Sequence, residues 1–127
     1  MGYSILLVDD STVVKVVLLK ILSSSQLPIE RVLEASNGVE ALRLIANEPV
    51  DLVITDINMP QMDGFELIER MRLDMMMKDI PVMVISTEGS LTRVSHLEGL
   101  GVKGYIRKPF TAQEITQAIA EILGGEA

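Results

Sequence analysis

Short apolar runs alternate with longer amphipathic stretches along this chain, a pattern that predicts repeated βα units and a parallel sheet. Ile5-Leu6-Leu7-Val8 is too short for a buried helix and stops at two acids, which marks a strand. Thr12 to about Ser24 reads as a helix, closed by Ser23-Ser24-Ser25 and Pro28. Arg31–Ala35 alternates as a second strand. Asn37 followed by Glu40 resembles a capping box, opening a helix to about Asn47 that Pro49 ends. Leu52–Thr55 is a third strand, closed by Asp56, and Asp63 with Glu66 starts a helix through Phe65, Leu67, Ile68 and Met71. Pro81–Ile85 is a fourth strand. A weaker helix runs from about Leu91 to Leu100, and Gly101 and Gly104 flank the link to strand Tyr105–Arg107. Thr111-x-x-Glu114 is a full capping box for a last helix that ends near Leu123, before Gly124-Gly125. The prediction is therefore five strands and five helices.

Strands as continuously apolar as Leu52–Ile54 and Val82–Ile85 imply a sheet covered on both faces, and right-handed crossovers place helices on each side. Five βα units of this size suit a flavodoxin-like, doubly wound α/β fold with strand order 2-1-3-4-5. A chain of 127 residues fits one compact domain, here 1–127. No apolar run approaches the roughly 20 residues that cross a bilayer, and the N-terminus carries no secretory pattern. A soluble, cytoplasmic protein with no membrane partner is expected. Cysteine is absent and histidine occurs once, so thiolate chemistry is excluded and any metal must be a hard cation on oxygen ligands. A net charge of −7 and only four aromatic residues (Tyr 2, Phe 2) argue against a nucleic-acid partner.

Ligands of open parallel α/β sheets bind outside the carboxyl ends of the strands. Those ends select Asp9-Asp10, Asp56, Ser86-Thr87 and Lys108-Pro109: three acids, a hydroxyl and an amine facing one crevice. Three carboxylates crowd together at a cost unless a cation compensates, and magnesium accepts a few carboxylates, waters and a phosphate. One acid could then act as a carboxylate nucleophile toward a phosphoryl group, with the cation and Lys108 neutralising the transferred oxygens. A single strand-end Asp is ordinarily a turn or cap residue, but capping does not account for four strand ends on one face.

Leu7-Val8-Asp9-Asp10-Ser11, Asp56-Ile57-Asn58-Met59-Pro60-Gln61-Met62-Asp63-Gly64 and Tyr105-Ile106-Arg107-Lys108-Pro109-Phe110 resemble the three signature segments of response-regulator receiver domains, most closely the CheY-like single-domain type. The resemblance spans essentially the whole chain and implies a phosphorylation-activated switch of a two-component phosphorelay, with no output domain. Asp56 would be the phosphoryl acceptor, while Asp9, Asp10, Asp56 and the backbone carbonyl of Asn58 would hold Mg2+ (or Mn2+). Ser86 would move to meet the phosphoryl group, Lys108 would pair with it, and Pro109 would follow a cis peptide bond. Tyr105 would be the aromatic switch, changing the helix 4–strand 5–helix 5 surface. Asn58 and Glu88 would set the phosphoryl lifetime, and an amide plus an acid there imply fairly fast self-dephosphorylation. The implied partners are a sensor histidine kinase or phosphotransfer protein and a downstream protein target. Chemotaxis is one setting, a monomer is expected, and the chain would be no conventional enzyme beyond catalysing its own phosphotransfer and dephosphorylation.

A dehalogenase-type phosphohydrolase would need an acid two residues past the nucleophile, where Asn58 stands. A phosphate-independent module would lack some of Asp9, Asp10, Asp56 and Lys108. A flavin-binding flavodoxin would need a Ser/Thr-rich loop after the first strand. Three further features are left over. The first helix is unusually apolar (Val13, Val14, Val16, Val17, Leu18, Leu19), through core packing or as a partner surface in equal measure. Met75-Met76-Met77 is expected as a loop tucked against the domain, and His96 as a surface residue. Regulated motion is expected between Glu88 and Gly104.

Overall fold

The computed structural model describes residues 2–87 and 91–124, with Leu91 described in its backbone alone. Ten elements alternate in order: β1 (Tyr3–Val8), α1 (Thr12–Ser24), β2 (Ile29–Ala35), α2 (Gly38–Asn47), β3 (Leu52–Thr55), α3 (Gly64–Leu73), β4 (Val82–Ser86), α4 (Leu91–Gly99), β5 (Gly104–Arg107) and α5 (Ala112–Gly124). The strands form one parallel sheet in the order β2-β1-β3-β4-β5. Every predicted element is present, with ends displaced by a residue or two.

Side chains alternate across each strand, and this divides the interior into two cores. Leu6, Val8, Val53, Val82 and Val84 meet Ala41, Ile45, Leu67, Ile68, Met71 and Leu97 of α2, α3 and α4. Ile5, Leu7, Leu52, Ile54, Met83 and Ile85 meet Leu18, Leu22, Ile115, Ile119 and Ile122 of α1 and α5. Each central strand is therefore apolar along its middle, with polar residues only near its ends (Ser4, Thr55, Ser86), because both of its faces are covered. Burying such a side chain contributes about 1.5–3 kcal/mol.

The helix starts are fixed by side-chain caps. The side chains of Asn37 and Asp63 accept hydrogen bonds from the backbone N–H of Glu40 and Glu66, both at 2.9 Å. At Thr111 the box is reciprocal: Glu114 N–H donates to its hydroxyl at 3.1 Å, and its own N–H donates to the Glu114 carboxylate at 2.8 Å. Glu40 departs from that pattern, since its carboxylate accepts from Ser36 N–H, one residue ahead of the cap.

Arg72, in the last turn of α3, joins three segments. Its guanidinium donates to the carbonyls of Leu100 at 2.7 Å, Lys78 and Ile80 at 3.1 Å, and Gly101 at 3.4 Å. Burial lowers its pKa and nearby Asp79 raises it. The planar fork of an arginine can reach four carbonyls, which a single ammonium cannot. Gly101 closes α4 at φ 77°, the left-handed region that glycine enters without a Cβ clash.

The apolar first helix divides between core and surface, and most of the methionine run is not where the sequence suggests. Val13 is 72% exposed and Val16 and Val17 are 45% and 40% exposed, so part of the α1 surplus is surface, while Lys15 is buried with Nζ donating to Ser36 Oγ at 3.0 Å. Only Met77 is tucked against the domain; Met75 and Met76 are 78% and 88% exposed. Asp74 causes the split, because its carboxylate accepts the N–H groups of Met76 and Met77 and turns the chain there.

Two substitutions test this framework by chemical denaturation. A Cβ on Gly64 would stand 2.8 Å from Ile57 Cα, so Gly64→Ala should destabilise the domain by about 1–3 kcal/mol through backbone displacement. Arg72→Lys should cost about 1–3 kcal/mol by leaving half-buried carbonyls unsatisfied; an unchanged midpoint would remove Arg72 from this role.

Candidate functional site

The site is assembled by strand register. Val8 pairs with Thr55 across β1 and β3, and Asp56 N–H donates to the Val8 carbonyl at 2.9 Å. Asp9 and Asp56 therefore leave the sheet as neighbours. On the other side Ser86 pairs with Arg107, and Lys108 N–H donates to the Ser86 carbonyl at 2.9 Å. The Lys108–Pro109 peptide bond is cis, as the resemblance implies. Because all strands are parallel, the four ends reach the same rim.

At that rim carboxylate oxygens of Asp9, Asp10 and Asp56 lie within 4.8 Å of one another. Asp9 and Asp56 are buried and Asp10 is exposed. Lys108 Nζ stands 3.1 Å from Asp9 Oδ2 and 3.6 Å from Asp56 Oδ2. Three negative charges thus face one positive charge. Each acid is held separately: Asp9 Oδ1 accepts Ser11 N–H at 2.8 Å, and Asp56 Oδ1 accepts Ile57 N–H at 2.8 Å. The Ser86 side chain is fully buried and faces Asp56 closely enough to favour its ionised form.

Burial raises the Asp56 pKa above the ordinary carboxylate range, and nearby Asp9 adds to the rise. The Ile57 N–H, the Lys108 ammonium and the Ser86 hydroxyl act the other way. Desolvation outweighs these three, so the carboxylate is more basic than a solvated one. The donor set is entirely oxygen and carries excess negative charge, which fits a hard divalent cation such as Mg2+ or Mn2+.

Asp9, Asp10, Asp56, Ser86 and Lys108 are thus brought together as the strand ends suggest. Asn58 follows two residues after Asp56, exposed at the edge of the crevice. Glu88 lies outside the described residues. Tyr105 sits in β5 opposite Val84, its ring packed on the α4 side of the sheet and its hydroxyl oxygen buried. His96 is exposed, as expected, yet engaged: Nε2 is 3.5 Å from Glu69 Oε2 and its ring meets Phe65 edge-on. Sequence reasoning missed Thr55, whose buried hydroxyl donates to the Asp56 carbonyl at 2.8 Å. A hydroxyl residue closing an otherwise apolar strand was the available signal. It also missed Gly64, whose N–H donates to the Ile57 carbonyl at 2.7 Å and ties the acceptor loop to α3.

Comparison with known proteins agrees with this geometry. The chain is 41% identical over 121 residues to chemotaxis protein CheY1 of Helicobacter pylori, covering 94% of this chain and 96% of the relative. It is 39% identical over 121 residues to a chemotaxis protein CheY homolog of Campylobacter jejuni, covering 94% and 92%. Among solved structures, a putative response regulator from Chloroflexus aurantiacus superposes with a TM-score of 0.89 at 29% identity, covering 98% of this chain and 99% of the other. Chemotaxis response regulator CheY4 of Vibrio cholerae gives 0.84 at 27% identity, covering 96% and 99%. The family model of the response regulator receiver domain matches residues 5–120, and with the acidic rim and the 2-1-3-4-5 sheet it establishes that the chain belongs to that family, as a CheY-like receiver of two-component signalling.

Proposed function

We propose that this receiver accepts a phosphoryl group on Asp56 from a phosphohistidine of a sensor kinase or phosphotransfer protein, and that the modified domain presents an altered α4–β5–α5 surface to a downstream protein target. The observation that carries this reading is the meeting of Asp9, Asp10 and Asp56 within 4.8 Å, with the Lys108 ammonium between two of them. In the transfer, an Asp56 carboxylate oxygen forms a bond to phosphorus as the P–N bond of the donor breaks. The electron pair returns to the imidazole nitrogen, which takes up a proton. Water attack on phosphorus later breaks the P–O bond, restoring the carboxylate and releasing inorganic phosphate.

Each residue has a task that its position supports. Ile57 N–H holds one carboxylate oxygen, which orients the other toward the crevice. Low solvation keeps Asp56 basic and therefore nucleophilic. Lys108 faces the place where transferred oxygens accumulate charge. Asp9, Asp10, Asp56 and the Asn58 backbone carbonyl would hold Mg2+ or Mn2+, which when bound neutralises the phosphoryl oxygens and the crowded acids. Ser86 would donate to a phosphoryl oxygen in place of the carboxylate, and Asn58 would tune hydrolysis together with Glu88, a role that rests for Glu88 on the sequence alone. Movement of Ser86 would empty space along β4 and β5, into which the Tyr105 ring can turn. Such a shift is bounded by the difference in stabilisation that the phosphoryl group provides between the two states. The names of the curated relatives make bacterial chemotaxis the setting we favour. No helix among the described residues is long and apolar enough to cross a membrane.

Incubation with acetyl phosphate and Mg2+ should give one phosphoryl adduct by intact-mass analysis, absent in Asp56→Asn; an adduct that persists there would overturn the assignment. Lys108→Met should retain, or exceed, the rise in melting temperature that Mg2+ gives wild type, since a competing cation is gone. It should nevertheless label about a hundredfold more slowly, the scale for loss of one charge-stabilising donor. Without metal, Asp56→Asn should be more stable than wild type at neutral pH. The raised Asp56 pKa means that ionisation opposes folding, so the penalty is absent below the unfolded pKa and complete above the folded one. The gap between the two proteins should accordingly close as pH falls; a gap independent of pH would exclude this origin.

A further inference from the structure

At the pole opposite the acidic rim, where the strands begin, the surface has an unusual composition. Leu73, Met75 and Met76 are 86%, 78% and 88% exposed, three consecutive large apolar side chains interrupted only by Asp74. Monomeric domains seldom display contiguous apolar surface without a use for it. Grooves radiate from this cluster. One of about 460 Å³ runs between the end of α2 and Met76–Met77, past Ile45, Val50 and Ile80. A second shares Met76 and passes Tyr3, Pro81 and Leu123, and a third shares Met77 and passes Leu42 and Leu73. The methionines form a hub from which grooves of mixed apolar and acidic lining open on three sides.

Charge selects the occupant. The walls of the three grooves carry Glu48, Asp51, Asp74 and Asp79 against a single cation, Arg70. Arg70 is already paired with Glu66 at 3.0 Å and Glu48 with Arg31 at 2.7 Å, and Asp79 lies near the Arg72 guanidinium, which leaves Asp51 and Asp74 as the groove acids in no ion pair among the described residues. A second copy of this chain, itself at −7, would bring like charge to an acidic patch. Flexible, polarisable methionines adapt to varied apolar side chains, and an apolar groove with an acidic rim is suited to an amphipathic helix with a basic face.

We propose that this methionine hub is a docking surface for a cationic amphipathic helix of a partner protein. Asp51 and Asp56 mark the two ends of β3, so the surface lies roughly 16 Å from the acceptor at about 3.3 Å per residue. A partner bound there leaves the acidic rim open. The receiver can be held at one pole while it exchanges phosphoryl groups at the other.

The test titrates the full isotope-labelled chain with a peptide of about five helical turns, Lys on one face and Leu on the other, and follows backbone amide shifts. Saturable shifts confined to residues 42–51 and 73–81, Tyr3 and Leu123 are expected, with the amides of Asp9, Asp10 and Asp56 unmoved. Met75→Ser combined with Met76→Ser should weaken binding about tenfold or more, as loss of central apolar anchors does. Asp79→Asn should weaken it less and flatten its salt dependence. Labelling of Asp56 by acetyl phosphate should match wild type in both variants, so failure here is distinguishable from failure of the phosphorylation reading. The proposal is overturned if a scrambled peptide of the same composition binds equally well or the double variant binds as wild type does. It is also overturned if the same amides move more on self-association or with phosphatidylcholine vesicles than with the peptide.

Discussion

Val8 stands opposite Thr55 in adjacent parallel strands, and the residues that follow them therefore emerge side by side. That register is the constraint on which the site rests. A slip of one residue would send every side chain of a strand to the opposite face, exchanging the partners of two separate cores. The sheet cannot accommodate it, because Leu6 and Val8 fill one core while Ile5 and Leu7 fill the other. Apolar packing on both sides of the sheet thus fixes the placement of two carboxylates, Asp9 and Asp56, that would otherwise repel one another.

The packing has an electrostatic consequence. A carboxylate buried beside another is the less stable for being ionised, and Asp56 shows this in its raised pKa. The hydrogen bond from Ile57, the Ser86 hydroxyl and the charge of Lys108 reduce the strain without abolishing it. Ionisation of Asp56 is thus locally unfavourable, and the rim keeps an excess of negative charge that a cation would relieve. Sites that bind and react are commonly built this way, with the surrounding core supplying the compensating stability.

Much of this was legible in the amino-acid order. Runs such as Leu52–Thr55 and Val82–Ser86 can only be strands covered on both sides, and the acids and amine that end such runs fall at one rim of any parallel sheet. The caps at Asn37, Asp63 and Thr111 are local and were readable for the same reason. What escaped depends on neighbours distant in sequence. Arg72 looks like an ordinary basic residue at a helix end, yet two of its acceptors lie 28 and 29 residues onward. Lys15 looks like a polar break in an apolar helix, and its burial depends on Ser36 at the start of another unit. The division of the methionine run into one buried and two exposed residues turns on the hydrogen bonds of Asp74, which composition alone does not reveal.

The four carbonyls gathered by Arg72 bear on how α4 can respond to events at the rim. Two of them, Leu100 and Gly101, belong to the chain leaving that helix, and Lys103 N–H is fastened to Val82 a little further on. Sliding of α4 as a body would break several of these bonds together, whereas pivoting about the moored end breaks none. At about 1.5 Å per residue, its nine residues form a lever of roughly 13 Å, so a tilt of about 10° sweeps the free end through some 2 Å. That end is the one that follows Ser86 in the chain, so the site and the Arg72 anchor stand at opposite ends of the α4 segment.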